Sequence, residues 1–143
     1  MDKYYKTILS EDYGSEEMFY KISDYALEVG IKDGFDKLDE FEKKFFMVGF
    51  LLMEVNNGGF DLYFVDGEGQ KYARHTLQFL NLIGENNFSN LLNMAINVFE
   101  SNKTYDEKFK ELDNIDSEFY KFLTLEYNNL YEKCIGYLKD NVN

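Results

Sequence analysis

Apolar residues recur at every third or fourth position along most of this chain, which is the pattern of helices with one buried face. The pattern predicts six helices, at residues 15–29, 38–55, 60–65, 70–83, 88–99 and 117–138. No segment alternates apolar and polar residues as an exposed strand does, and the sequence contains no proline. We therefore expect an all-α fold, a single compact domain of about six helices spanning residues 1–143.

The second predicted helix is apolar nearly all round, which indicates a buried helix at the centre of the fold. Gly49 within it predicts that another helix crosses closely, since glycine otherwise weakens a helix interior. Ser15 is the expected N-cap of the first helix, and Gly30 and Gly84 are the expected stops of the first and fourth.

Composition supports a folded domain, because 45% of the residues are hydrophobic and 18% are aromatic. The longest apolar run, Phe45 to Met53, is too short to cross a membrane, and the first residues lack the apolar run of a signal peptide. The single cysteine, Cys134, fits a reducing compartment. These features predict a cytoplasmic protein.

The chain carries 27 acidic and 15 basic residues, a net charge of −12. Direct binding to nucleic acid or to an anionic membrane is disfavoured, because both need a surplus of Lys and Arg. The charge favours a basic protein, or a protein that normally binds nucleic acid, as the partner.

The acids concentrate in three clusters, and the first two approach the charge density of duplex DNA. They form a candidate binding surface, but each also lies at or just before a predicted helix N-terminus, where acids stabilise the helix without any partner. The three clusters are Glu11, Asp12, Glu16 and Glu17; Asp33, Asp36, Asp39, Glu40 and Glu42; and Asp106, Glu107, Glu111, Asp113, Asp116 and Glu118.

The sequence predicts no catalytic, cofactor or metal site. His75 is the only histidine and is predicted to face outward, and Cys134 lies on the apolar stripe of its helix. The glycines at 67 and 69 open a helix, but Tyr72 leaves the dinucleotide-binding fingerprint incomplete.

The segment from Glu54 to Phe64 is the most unusual in the chain, because its adjacent glycines Gly58 and Gly59 allow a sharp turn. We expect Glu54 to brace this turn by accepting hydrogen bonds from its backbone. The alternative is that Glu54 is a perturbed acid in a cleft, as in a small hydrolase or transferase.

This segment resembles the motif of the bacterial DNA-mimic protein family. The resemblance covers about thirty residues and departs from the family pattern at Leu62 and Asp66. The matching residues are Glu54, Asn57, Gly58, Gly59, Phe60, Tyr63 and Phe64, then Gly67 or Gly69, and Ile83 with Gly84.

The resemblance implies an all-helical fold, a structural role for the motif and no known catalytic activity. In the protein that gave the family its name, surface acids imitate the phosphates of duplex DNA and capture a DNA-binding regulator, and the protein acts as a dimer. The resemblance thus implies a homodimer as one state open to this chain.

These observations together predict a non-enzymatic acidic module that binds a basic or nucleic-acid-binding protein, with DNA mimicry as its sharpest form. Two alternatives remain open at this point. One is an immunity or antitoxin-like protein that blocks a basic toxin, and the other is a small enzyme that uses Glu54 near the Gly58–Gly59 turn.

Overall fold

A computed structural model describes residues 3–66 and 68–142 of the chain. The fold is all-α, and no strand occurs within these two ranges. A 3-10 turn at Phe35–Lys37 precedes the third α-helix, and a π-helical turn at Leu62–Asp66 follows it. The α-helices are α1 (Tyr4–Leu9), α2 (Ser15–Asp33), α3 (Glu40–Asp61), α4 (Gly69–Leu82), α5 (Asn86–Glu100) and α6 (Tyr105–Asn141).

The helices group into two compact units. The first unit contains the chain up to Gly49 and the segment from Asn128 onward, and the second contains Phe50–Tyr127. Both α3 and α6 contribute residues to each unit. That residues 1–143 make a single domain stays a prediction.

Aromatic side chains of α2, α3 and α6 form the interior of the first unit. The Phe19 ring is fully buried, with its centroid 5.7 Å from that of Phe45 and 4.8 Å from that of Tyr131. A Cβ atom added at Gly49 would lie 1.8 Å from the Ser23 hydroxyl oxygen. The predicted close crossing at Gly49 is therefore confirmed, and α2 is the helix that crosses there.

The interior of the second unit is built around the aromatic residues that follow the two adjacent glycines. Phe60 packs edge-on against Phe119 of α6, with ring centroids 5.5 Å apart. Phe64 stacks on Phe99 of α5 at 4.7 Å. Phe60 and Phe64 therefore hold α5 and α6 against the end of α3.

The predicted buried apolar helix is confirmed, since every residue of α3 from 45 to 52 is buried. Some predicted boundaries were wrong. Helix α2 runs through Gly30, where a Cβ would lie 2.6 Å from the Phe46 ring. It ends at Asp33 and is followed by Gly34, which has a φ of 107°. Gly30 thus allows α2 to pack closely against Phe46, while Gly34 ends the helix.

The ends of the chain depart further from the sequence pattern. The short helix α1 was not predicted, and Ser15 is the first residue of α2 rather than its cap. The last helix begins at Tyr105 instead of residue 117. The predicted helix at 60–65 is split between the end of α3 and the π-helical turn. Gly84, by contrast, ends α4 as expected, with a φ of 74°.

Candidate functional site

Two adjacent glycines break α3 sharply near its end, and we call residues 57–60 the glycine turn. Gly58 has φ −162° and ψ 18°, and Gly59 has φ 72° and ψ −173°. The positive φ at Gly59 favours glycine over any residue with a Cβ atom. The helical hydrogen bonds of α3 cannot continue through these angles, so backbone groups of the turn need other partners.

Helix α6 supplies those partners. The backbone N–H of Phe60 donates to Asp116 Oδ1 at 2.8 Å, and the hydroxyl of Tyr120 donates to the carbonyl of Val55 at 2.7 Å. A Cβ atom at Gly59 would lie 2.1 Å from Asp116 Oδ2, so the carboxylate sits directly on the turn. Asp116 and Tyr120 thus fix the turn to α6.

The expected brace, Glu54, is not the carboxylate that holds the turn. Glu54 is half-buried, and among the described residues none donates a hydrogen bond to its side chain. Burial raises the pKa of Glu54 above its ordinary value. The prediction that Glu54 braces the turn was therefore wrong, and Asp116, which lies 56 positions from Phe60 and is linked to it by no local pattern, takes that place.

Asp116 itself is electrostatically perturbed. Burial raises the pKa of its carboxyl group to about 6, although the hydrogen bond from the Phe60 N–H opposes this shift. The nearby negative charges of Asp113 and Asp61 raise the pKa further. An acid that was predicted to be part of an exposed cluster is thus a half-buried structural group.

The other motif residues divide between the interior and the surface. Phe60, Tyr63 and Phe64 are buried, whereas Asn57 is exposed. Gly69 is buried against Tyr63, with its Cβ position 2.4 Å from the Tyr63 carbonyl oxygen. Gly67 lies outside the described residues. That the motif is structural stays a prediction, and the burial of its aromatic residues supports it.

The first acidic cluster lies at the start of α2 and is wholly exposed. Asp24 and Glu28 extend it along the same helix and are also exposed. At 100° per residue, Glu17, Asp24 and Glu28 fall within about 40° around the helix axis. We call these three residues, with Glu16 beside them, the α2 acidic stripe.

The α2 acidic stripe has no cationic partner among the described residues. Lys21 of the same helix places its ammonium group 4.9 Å from the centroid of the Tyr13 ring instead. Sequence reasoning missed Asp24 and Glu28 because it grouped acids that are adjacent along the chain and not those that share a helix face. Their spacing of seven and four residues from Glu17 and Asp24 is the signal that marks one outward helix face.

Two acids of the second acidic cluster, Asp39 and Glu42, cap the start of α3. Asp39 Oδ1 accepts from the Glu42 N–H at 2.8 Å, and Glu42 Oε1 accepts from the Asp39 N–H at 2.9 Å. This reciprocal pair is a capping box at the start of α3. Glu42 is only 3% exposed and also accepts from the Lys3 ammonium at 3.4 Å. Glu42 was thus wrongly assigned to the surface, since its carboxylate is buried by its own capping role.

Asp39 is half-buried, and its second carboxylate oxygen also accepts a hydrogen bond. Its Oδ2 atom accepts from the Tyr5 hydroxyl at 2.8 Å, and burial with this hydrogen bond raises the pKa of Tyr5. Asp33, Asp36 and Glu40 remain exposed. Glu40 lies 3.7 Å from the Lys43 ammonium, so only Asp33 and Asp36 of this cluster are both exposed and without a cation in the described residues.

The third acidic cluster lies within α6, because the helix begins at Tyr105. The expectation that its acids precede a helix was therefore wrong, except that Asp106 and Glu107 occupy the first turn. Glu111 pairs with Lys103, and Glu118 pairs with Lys121 at 3.1 Å. Asp106 and Asp113 are exposed, while Asp116 holds the glycine turn.

The three acidic clusters do not all lie in the same compact unit. The first two belong to the unit that contains α2, and the third belongs to the unit that contains the glycine turn. Within the first unit, the α2 acidic stripe, Asp33 and Asp36 make up the exposed carboxylates that lack a cation along α2 and just after it.

The chain has one histidine and one cysteine, two residue types that often serve in acid–base and nucleophilic catalysis. His75 is exposed, and Cys134 is buried within the first unit. Within the described parts of the chain, no three His, Cys, Asp or Glu side chains lie where they could hold a metal ion together. No helix in those parts is long and apolar enough to cross a membrane.

An all-α fold, a glycine turn fixed by a carboxylate and an excess of acidic side chains define the class of protein: an acidic helical protein. The chain belongs to the DMP19-like protein family, whose family model matches residues 36–141. The match includes the glycine turn, Asp116 and the whole of α3 to α6. Comparison with curated proteins and with solved structures found no match.

Proposed function

We propose that this protein is a non-enzymatic binding module whose α2 acidic stripe imitates a DNA strand and captures a basic, DNA-binding protein. The observation that carries the proposal is the exposure of Glu17, Asp24 and Glu28 on one helix face without a cationic partner among the described residues. When a basic surface approaches a carboxylate that has no partner, no existing ion pair has to be broken. These acids are therefore available for recognition.

The spacing of these charges supports imitation of a phosphate strand. Glu16 to Glu28 spans about 18 Å at 1.5 Å per residue, so the four charges are separated by about 6 Å on average along the helix axis. One strand of duplex DNA carries a phosphate about every 3.4 Å of helix axis. The stripe therefore carries roughly half the linear charge density of a single DNA strand.

Family membership supports a binding function in general, since the family match begins at residue 36 and does not include the α2 acidic stripe. The chain belongs to the DMP19-like family, and the resemblance in its motif is to proteins whose surface acids act in place of DNA phosphates. Because the motif is mostly buried, the binding role falls to surface acids outside it.

The decisive experiment compares two triple variants of equal net charge. Proteins from the native host that bind a duplex-DNA column are eluted and passed over the immobilised protein. In the test variant, Glu17→Lys, Asp24→Lys and Glu28→Lys reverse the stripe. In the control, Glu68→Lys, Glu100→Lys and Glu118→Lys reverse exposed acids that each already pair with a cation. We expect capture to fail with the test variant and to persist with the control.

Duplex DNA added to the column should compete with the immobilised protein for the captured partner, because both occupy the same basic surface. Equal capture by both triple variants would contradict the role of α2. Capture of a basic protein from the fraction that the duplex-DNA column does not retain would instead support the antitoxin-like alternative, in which the partner is a toxin that does not bind DNA.

A further inference from the structure

The N-terminal half of α6 presents three aromatic side chains on one face. Tyr105 is 57% exposed, Phe109 is 47% exposed and Tyr120 is 39% exposed. At 100° and 1.5 Å per residue, the three fall within about 60° around the helix axis and span about 22 Å along it. We call these three residues the α6 aromatic face. Single exposed aromatic residues are ordinary, but three aligned along one helix face indicate a contact surface.

The aromatic rings are held in place by the surrounding structure. The rings of Tyr105 and Phe109 stack with centroids 6.3 Å apart and an interplanar angle of 29°. The Tyr105 hydroxyl lies 3.2 Å from both carboxylate oxygens of Asp61, and the Tyr120 hydroxyl is fixed on the carbonyl of Val55. A partner that stacks on these rings therefore loses little side-chain freedom on the protein's side.

Negative charge surrounds the α6 aromatic face. Asp113 lies between Phe109 and Tyr120 on the helix, and both Asp61 and Asp113 lie close enough to Asp116 to act on its carboxylate. Among the described residues, no Lys or Arg lies within ion-pair distance of these three carboxylates. Other acids of α6, Glu111 and Glu118, are already paired with lysines and lie on the opposite side of the helix.

We propose that the α6 aromatic face docks an arginine-bearing segment of a partner protein. A guanidinium group is planar, so it stacks on Tyr and Phe rings while its N–H groups reach a neighbouring carboxylate. Lysine satisfies the charge but cannot form the planar fork, so arginine is the better fit. This docking surface lies in the unit that lacks the α2 acidic stripe and does not depend on DNA mimicry.

The test uses two capped hexapeptides of alternating glycine with three arginines or three lysines, titrated into the full-length protein at physiological ionic strength. The dissociation constants come from shifts of the aromatic proton resonances. We expect the arginine peptide to bind about two- to fivefold more tightly than the lysine peptide, the range that an exposed cation–π contact provides. Phe109→Ala should remove this preference and leave both peptides with the affinity of the lysine peptide.

A matched control is Leu125→Ala, which truncates a side chain 79% exposed on the other side of α6 and should leave the preference intact. Phe109→Leu keeps the apolar volume and loses the aromatic ring, so it should behave as Phe109→Ala does even if the alanine variant is poorly folded. Equal affinity of the two peptides for the unchanged protein would overturn the proposal, as would an arginine preference that survives in both Phe109 variants.

The result is independent of the proposed DNA mimicry. A variant with Glu17→Gln, Asp24→Asn and Glu28→Gln should keep the ratio of the two peptide affinities while losing the DNA-binding protein captured through α2. Loss of the ratio in this variant would show that arginine binds the α2 acidic stripe, and would contradict a docking site on α6.

Discussion

At the scale of single residues, Asp116 has two opposing effects on the protein. Its carboxylate accepts the hydrogen bond that fixes the glycine turn, yet burial penalises its charge and raises its pKa from the ordinary 3.8 to about 6. The folded protein therefore binds this proton more tightly than the unfolded chain does. The contribution to stability is fully present below pH 3.8 and is lost as the pH rises through 6.

The pH dependence can be tested with Asp116→Asn, which keeps an oxygen that accepts from Phe60 and removes the charge. The unchanged protein should gain free energy of unfolding between pH 7 and pH 5 by about 1 kcal/mol more than the variant, after allowance for partial exposure. Chemical denaturation at both pH values measures this difference. Asp140→Asn, at an exposed position late in α6, is the control for general loss of negative charge and should retain the full gain.

Gly59 combines two constraints that can be separated by mutation. Its φ of 72° disfavours any L-residue, and a Cβ atom would collide with Asp116. Gly84 has a φ of 74° but no atom within 4 Å of its Cβ position. We expect Gly84→Ala to cost about 1–2 kcal/mol from backbone conformation alone. Gly59→Ala should lower the stability clearly more than Gly84→Ala does. Equal losses of stability in thermal unfolding would show that the Asp116 side chain moves aside without an energetic cost.

At the scale of secondary-structure elements, the start of α3 shows that acidic residues can serve the helix itself. We expect Asp39→Ala to destabilise the protein by about 0.5–2 kcal/mol, the usual cost of losing an N-cap side chain. Asp36→Ala, in the preceding 3-10 turn and exposed, should change stability little. Urea unfolding of both variants provides the measurement. Equal losses of stability in the Asp39→Ala and Asp36→Ala variants would show that the capping box contributes no more than an ordinary surface acid.

Periodicity predicted the elements whose apolar faces are long and regular, and failed where a long-range contact decides the structure. Helix α5, predicted at 88–99, is found at Asn86–Glu100, because its apolar face is packed along its whole length. The start of α6 was missed because its first turns expose Tyr105 and Phe109 and carry many charges. Its N-terminus is instead set by Thr104, whose hydroxyl accepts from the Glu107 N–H at 3.2 Å.

The candidate site was predictable to a similar degree. The glycine turn and the first acidic cluster could be identified from local sequence, because turns and charge runs are local features. The role of Asp116 and the burial of Glu42, by contrast, depend on which helix faces are covered. Which faces are covered is decided by the tertiary structure and cannot be deduced from the pattern of a single sequence.

At the scale of the whole molecule, a net charge of −12 opposes compaction of the chain. Raising the NaCl concentration from about 0.02 to 0.3 M shortens the screening length severalfold. The melting temperature should therefore rise by a few degrees, and differential scanning calorimetry measures it. The Glu17→Lys, Asp24→Lys and Glu28→Lys variant has a net charge of −6, since each substitution adds two positive charges to −12. Its salt dependence should be clearly smaller, and an unchanged slope would contradict a role for self-repulsion.

The first compact unit combines residues up to Gly49 with the segment from Asn128 onward, whereas the second is formed by the continuous stretch between them. Because a ribosome releases the chain from its N-terminus, the second unit has all of its residues available earlier than the first does. Until the segment from Asn128 onward emerges, Phe19 lacks the ring of Tyr131 that packs against it in the folded protein. The interval before the segment from Asn128 onward emerges is thus a step at which this unfinished unit is exposed to aggregation and to chaperones.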